Sequence, residues 1–96
     1  MHTQLLKLDP DNPDTEVLRE ASLILNQGGL VAIPTETVYG LAANIFDASA
    51  VAKIYTAKGR PGNNPLIVHV HSVEQAKSLV LNWNECAQKL AEAFWP

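Results

Sequence analysis

Gly28-Gly29-Leu30-Val31-Ala32-Ile33-Pro34-Thr35-Glu36-Thr37-Val38-Tyr39-Gly40-Leu41 joins a helix stop, a short apolar run and a polar loop in one stretch of chain. Paired glycines end helices because the left-handed backbone that closes the last turn is inexpensive only without a Cβ. Leu30 to Ile33 is apolar at every position, the pattern of a strand covered by helices on both faces, and Pro34 stops it. Such a strand predicts an α/β sheet, and the loop beyond its end is where these sheets hold ligands.

Upstream, Val17, Ala21, Ile24 and Leu25 recur at helical spacing, Asn12 or Asp14 stands where a cap is needed, and Pro13 suits the first turn. Gln4 to Leu8 reads as an edge strand or lead-in before the turn formers Asp9-Pro10-Asp11-Asn12-Pro13. Downstream, Asp47 caps a second helix that carries Val51, Ile54 and Tyr55 on one face and closes before Gly59. Leu66 to His71 reads as a strand with Leu66, Val68 and Val70 on one face and Ile67, His69 and His71 on the other. Ser72 and Gln75 form a capping box for a third helix, while Trp83, Ala87, Leu90, Ala91 and Phe94 mark a fourth. The order β-α-β-α-β-α-α predicts an α/β fold, a twisted mixed sheet flanked by helices, with some parallel pairing because strands separated by helices need crossovers.

A chain of 96 residues supports one core at most. Its 47% hydrophobic and 18% charged content is that of a globular domain and excludes a disordered segment. Ten acidic residues against seven basic ones argue against a surface that binds nucleic acid throughout, so any RNA contact is local. No apolar run approaches the length of a membrane span and the first residues lack a signal peptide's pattern, which predicts a cytoplasmic protein. The single cysteine, Cys86, excludes an internal disulfide and is expected to be a buried, reduced thiol. Phe94-Trp95-Pro96 follows a helix directly, and two large aromatics there predict a chain cut within a domain.

Two polar segments carry the candidate chemistry. In Lys58-Gly59-Arg60-Pro61-Gly62-Asn63-Asn64-Pro65-Leu66, two cations flank a glycine and could both face a phosphate group, with Arg60 as a fork of donors and Lys58 as a point charge. The turn formers behind them could complete a polar cradle, or the whole segment is a solvated basic loop. In the other segment Thr35, Thr37 and Tyr39 offer three hydroxyls, which point the same way if the loop stays extended and suit a small polar metabolite. The alternative is a strand-to-helix turn with Tyr39 packed in the core and Glu36 on the surface. His69 and His71 lack the further ligands of a metal site, so no metal site is predicted, and His69 reads as a polar wall of the crevice. None of the common phosphate-loop, dinucleotide or serine-hydrolase motifs is present.

Pro34 to Leu41, and Lys58-Gly59-Arg60-Pro61 through Asn64-Pro65-Leu66-Ile67-Val68-His69, closely resemble two signature segments of the YrdC-like family of threonylcarbamoyl-AMP synthases. The similarity runs from Val17 to Pro96, in the family's order. It implies a YrdC-like, double-stranded-RNA-binding-like α/β fold with a concave, locally basic face, of which residues 1–96 would be the N-terminal half, with no second domain in this chain. It also implies an L-threonylcarbamoyladenylate synthase, a nucleotidyltransferase that makes threonylcarbamoyl-AMP and pyrophosphate from L-threonine, bicarbonate and ATP, with Mg²⁺ expected on the phosphates, for threonylcarbamoyladenosine in tRNA. Carried over by position, Thr35, Thr37, Tyr39 and His69 would line the threonine pocket. Lys58, Arg60 and Asn64 would contact ATP, with Lys58 and Arg60 the catalytic pair. The family's signature continues into a second half with a serine and an asparagine that complete the nucleotide site, and tRNA or tRNA-modification proteins are the implied partners. The competing reading is an RNA-binding module of the same fold without catalysis, with Lys53, Lys58 and Arg60 on phosphates.

Overall fold

Helix caps and glycine stops account for most of the local structure. A computed structural model describes residues 2–96. Its elements are α1 (Thr15–Asn26), β1 (Val31–Ile33), β2 (Gly40–Ala42), α2 (Ala48–Lys58), α3 (Val73–Ser78) and α4 (Glu85–Phe94). They fall into two units, one ending at Pro65 and one spanning Leu66–Pro96.

In the first unit, Asp14 rather than Asn12 caps α1, its carboxylate accepting the Glu16 N–H at 2.8 Å. Val17, Ala21, Ile24 and Leu25 form the half-buried stripe that their spacing predicts, and α1 packs against β1. The helix closes by donating the Gly28 N–H to Leu25 and the Gly29 N–H to Ile24 (3.1 and 2.8 Å), the paired bonds of a left-handed helix end. Only Gly28 takes the left-handed backbone (φ +83°). Gly29 is glycine for another reason, since a Cβ there would stand 2.7 Å from Ile24 Cγ2 and 2.9 Å from its carbonyl oxygen.

The expected parallel crossover after β1 is replaced by an antiparallel pair. β2 returns beside β1 with Val31 opposite Ala42, Ala32 opposite Leu41 and Ile33 opposite Gly40. The intervening loop bends at Glu36–Val38 instead of running on, and a connection this short can only join antiparallel strands. The α/β class stands; the strand at Gly40–Ala42 is the element that hydrophobic pattern alone did not mark, because a three-residue strand is too short to show a period.

Asp47 caps α2 as expected, accepting the Ala50 N–H at 3.1 Å. The far end repeats the closure of α1: Gly59 is left-handed (φ +63°), its N–H donating to Thr56 and that of Arg60 to Tyr55 (3.3 and 3.0 Å). Ala50 and Ile54 on this helix are the buried hydrophobic residues among those described. Asp47→Ala is expected to lower stability by about 1 kcal/mol through loss of the cap, measured as a shifted denaturant midpoint with unchanged slope.

Gln4 to Leu8 forms no strand; Gln4 instead donates its side-chain amide to Glu20 on α1 at 2.7 Å. In the second unit, Leu66 to His71 is likewise not a strand. A strand exists only when a neighbour takes its backbone hydrogen bonds, and among the described residues no segment pairs with this one. Ser72 caps α3 by accepting the Gln75 N–H at 3.0 Å. The reciprocal half of the expected box shifts by one residue, because the Gln75 amide oxygen accepts the N–H of His71 at 2.8 Å. Asn84 caps α4, which places Trp83 just before the helix, its indole N–H donated to Gln88 at 2.8 Å. Cys86 is exposed, correcting the expected buried thiol: α4 turns Ala87 and Ala91 inward, and the neighbouring position faces out. Among the described residues no helix is long and apolar enough to cross a membrane.

Candidate functional site

The loop after β1 is organised by Thr35. Its hydroxyl accepts the Thr37 N–H at 3.2 Å, donates to the Val38 carbonyl and lies 3.4 Å from the Thr37 hydroxyl. A hydroxyl that satisfies backbone groups two and three residues on makes a local turn. The bend therefore draws Thr35 and Thr37 together, which the expected extended alternation had ascribed to a period of two. Tyr39 is 76% exposed, which removes the alternative of a core tyrosine. Glu36 lies exposed on the bend.

The second segment begins on the last residue of α2. Lys58 is the final helical residue, Gly59 turns the chain left-handed, and Arg60 starts the loop with its N–H bound back to Tyr55. Both cations are exposed. Among the described residues, the ion pairs join Arg19 to Glu16 and Lys89 to Glu85, and neither Lys58 nor Arg60 has a carboxylate within 4.0 Å. Lys58 also complements the negative end of the helix dipole. Beyond Arg60 the chain makes the predicted turn, the Asn64 N–H donating to the Pro61 carbonyl at 3.1 Å.

The feature that pattern reading missed is Tyr55. It stands among the apolar residues of α2, yet its hydroxyl donates to the backbone carbonyl of Asn64. Its position, three residues before Lys58 on the same helix face, is the signal that could have pointed to it. Lys53 takes a different role from the one expected for a phosphate contact. Its ammonium donates to the Gly28 carbonyl at 2.8 Å, tying α2 to the end of α1.

His69 belongs to the second unit, where it is exposed and its Nδ1 lies 3.3 Å from the Ile67 carbonyl. It lines an open hollow of about 490 Å³ with Ile67, Val68, Val70, Leu79 and Trp95 among its neighbours. The hollow is apolar apart from His69, so the imidazole is its polar group. Among the described residues no group of three or more His, Cys, Asp or Glu side chains could hold a metal ion.

Comparison with known proteins adds the relatives. A family model described as "Telomere recombination" (Sua5/YciO/YrdC) matches residues 23–96. The chain is 52% identical over 79 residues to a threonylcarbamoyl-AMP synthase of Pyrococcus abyssi, covering 82% of this chain and 23% of that protein. It is 48% identical over 79 residues to the threonylcarbamoyl-AMP synthase of Bacillus subtilis, with the same two coverages, 82% and 23%. Among solved structures, the crystal structure of P. abyssi Sua5 complexed with L-threonine superposes with a TM-score of 0.84 at 48% identity, covering 88% of this chain and 25% of that one. The chain thus spans about a quarter of the length of these relatives.

Proposed function

Because the chain belongs to the Sua5/YciO/YrdC family, we propose that it supplies part of the domain of an L-threonylcarbamoyladenylate synthase, its N-terminal half. One observation carries the reading. Lys58 and Arg60 flank a left-handed glycine, both exposed and, among the described residues, without a carboxylate partner, in a chain whose curated relatives are threonylcarbamoyl-AMP synthases.

In this reading the amine of L-threonine and bicarbonate form a carbamate with loss of water. A carbamate oxygen then attacks the α-phosphorus of ATP, the bond to the β-phosphate oxygen breaks, and pyrophosphate leaves. The step brings two anions together and releases a third, so cations held in place beforehand supply much of the stabilisation. Lys58 bridges the carbamate and the phosphates as a point charge. Arg60 uses its planar fork on phosphate oxygens, and the Asn64 side chain adds a neutral contact. Thr35, Thr37 and Tyr39 bind threonine by their hydroxyls. Mg²⁺ enters this reading on the triphosphate, as part of the substrate, where it would neutralise phosphate charge. The product would pass to tRNA for threonylcarbamoyladenosine, and a cytoplasmic location goes with these substrates.

Support for threonine comes from the P. abyssi structure, which is a complex with L-threonine. An RNA-binding module without catalysis is less favoured, because the Lys53 ammonium is engaged at Gly28 and leaves fewer cations for phosphates. The test is pyrophosphate release by a longer protein that carries this chain. Release is expected only when ATP, L-threonine and bicarbonate are all present; release that persists without threonine rejects the synthase, and no release together with salt-sensitive RNA binding favours the module.

A further inference from the structure

We propose that Tyr55 is a positioning residue for the nucleotide loop, holding the segment from Arg60 to Asn64 in place beside Lys58; this rests on the synthase reading above. Three hydrogen bonds converge on that segment. The Tyr55 carbonyl accepts the Arg60 N–H at 3.0 Å, the Tyr55 hydroxyl donates to the Asn64 carbonyl, and the Asn64 N–H closes onto Pro61 at 3.1 Å. One residue of α2 thus ties both ends of the loop, by its backbone at Arg60 and by its side chain at Asn64.

The anchor is itself well placed. Tyr55 is half-buried and stands next to the buried Ile54 on α2, the helix that carries Lys58. The loop needs such a fixed point. Gly62 has open space around its Cα and is followed by two asparagines, and a segment of this composition is mobile unless something outside it is bonded to it. A loop already ordered before the ligand arrives spares the binding step the entropy of ordering it, which is how a residue that touches no nucleotide strengthens nucleotide binding.

Tyr55→Phe removes the hydroxyl and keeps both the ring and the backbone carbonyl. Amide relaxation by NMR, read without nucleotide, is expected to show order parameters for Gly62 to Asn64 falling below about 0.6 while Arg60 stays near about 0.85. In a longer protein that carries this chain, the KM for ATP is expected to rise about fivefold, the equivalent of one ordinary hydrogen bond, with the KM for threonine unmoved. An unchanged loop in Tyr55→Phe overturns the proposal whatever ATP does, and so does a loosened loop with an unchanged KM for ATP. Failure of the unsubstituted longer protein to use ATP overturns the synthase reading as well, and the two failures are separable because loop order is measured without nucleotide.

Discussion

Alanine at Lys58 or at Arg60, in a longer protein that carries this chain, is expected to lower the rate of pyrophosphate formation by about 10²–10³-fold each, the loss typical of one preorganised electrostatic contact to a reacting centre. The prediction follows from where the cations sit. Both are exposed, and among the described residues no carboxylate lies within 4.0 Å of either, so their charge is not spent on holding the fold together. Stability should therefore hardly move. Lys58 loses its favourable place at the C-terminus of α2, worth about 0.3–1 kcal/mol, and Arg60 keeps its backbone bond to Tyr55 whatever its side chain. Lysine at position 60 should not restore the rate, since an ammonium cannot reproduce a planar fork on phosphate oxygens. Steady-state kinetics beside thermal melts separates the two quantities: unchanged turnover in either alanine variant removes that residue from the chemistry, and a collapse of the melt would mean the loss is one of folding.

The second large effect concerns stability, at Gly28. This residue is buried, left-handed at φ +83°, and a Cβ there would lie 2.8 Å from Asp47 Oδ2. Gly28→Ala therefore strains the backbone and also pushes on the carboxylate that caps α2 through the Ala50 N–H. Together these are expected to cost about 2–3 kcal/mol, a fall in melting temperature of roughly 10–20 °C for a chain of this size. Gly59 is the control: it is left-handed at φ +63° with nothing within 4 Å of an added Cβ. Gly59→Ala should lose only the backbone term, about 1 kcal/mol. Circular-dichroism melts of the two variants decide it, and equal shifts would show that the contact between Gly28 and Asp47 contributes nothing. The effect is large relative to what the chain has to spare, since Ala50 and Ile54 are its buried hydrophobic residues among those described, whereas Phe46 and Phe94 are 79% and 76% exposed.

Caps and stops were legible from residues alone, and the two signature segments from their resemblance to a family. Asp47, Ser72 and the left-handed Gly28 and Gly59 fall where local chemistry puts them, because a cap or a helix end involves groups only a few positions apart. Of the local geometry of the candidate segments, the meeting of Thr35 and Thr37 and the turn that closes the loop from Arg60 to Asn64, just beyond Lys58 at the end of α2, were legible too. Their placement was less so. The hydroxyls meet through a bend rather than an extended strand, and the loop is held by Tyr55, a residue whose ring reads as helix-face filler.

What escaped the residue pattern has one physical character. Strand pairing at Gly40–Ala42, the absence of strands at Gln4–Leu8 and Leu66–His71, the exposure of Cys86, and the bonds from Lys53 to Gly28 and from Tyr55 to Asn64 all depend on which distant group lies opposite. Local geometry is written in neighbouring residues, because the backbone groups that need partners find them within a turn. A ladder, a buried face or a long side chain's partner is settled by the energy of bringing remote parts together, and no run of adjacent residues encodes that outcome.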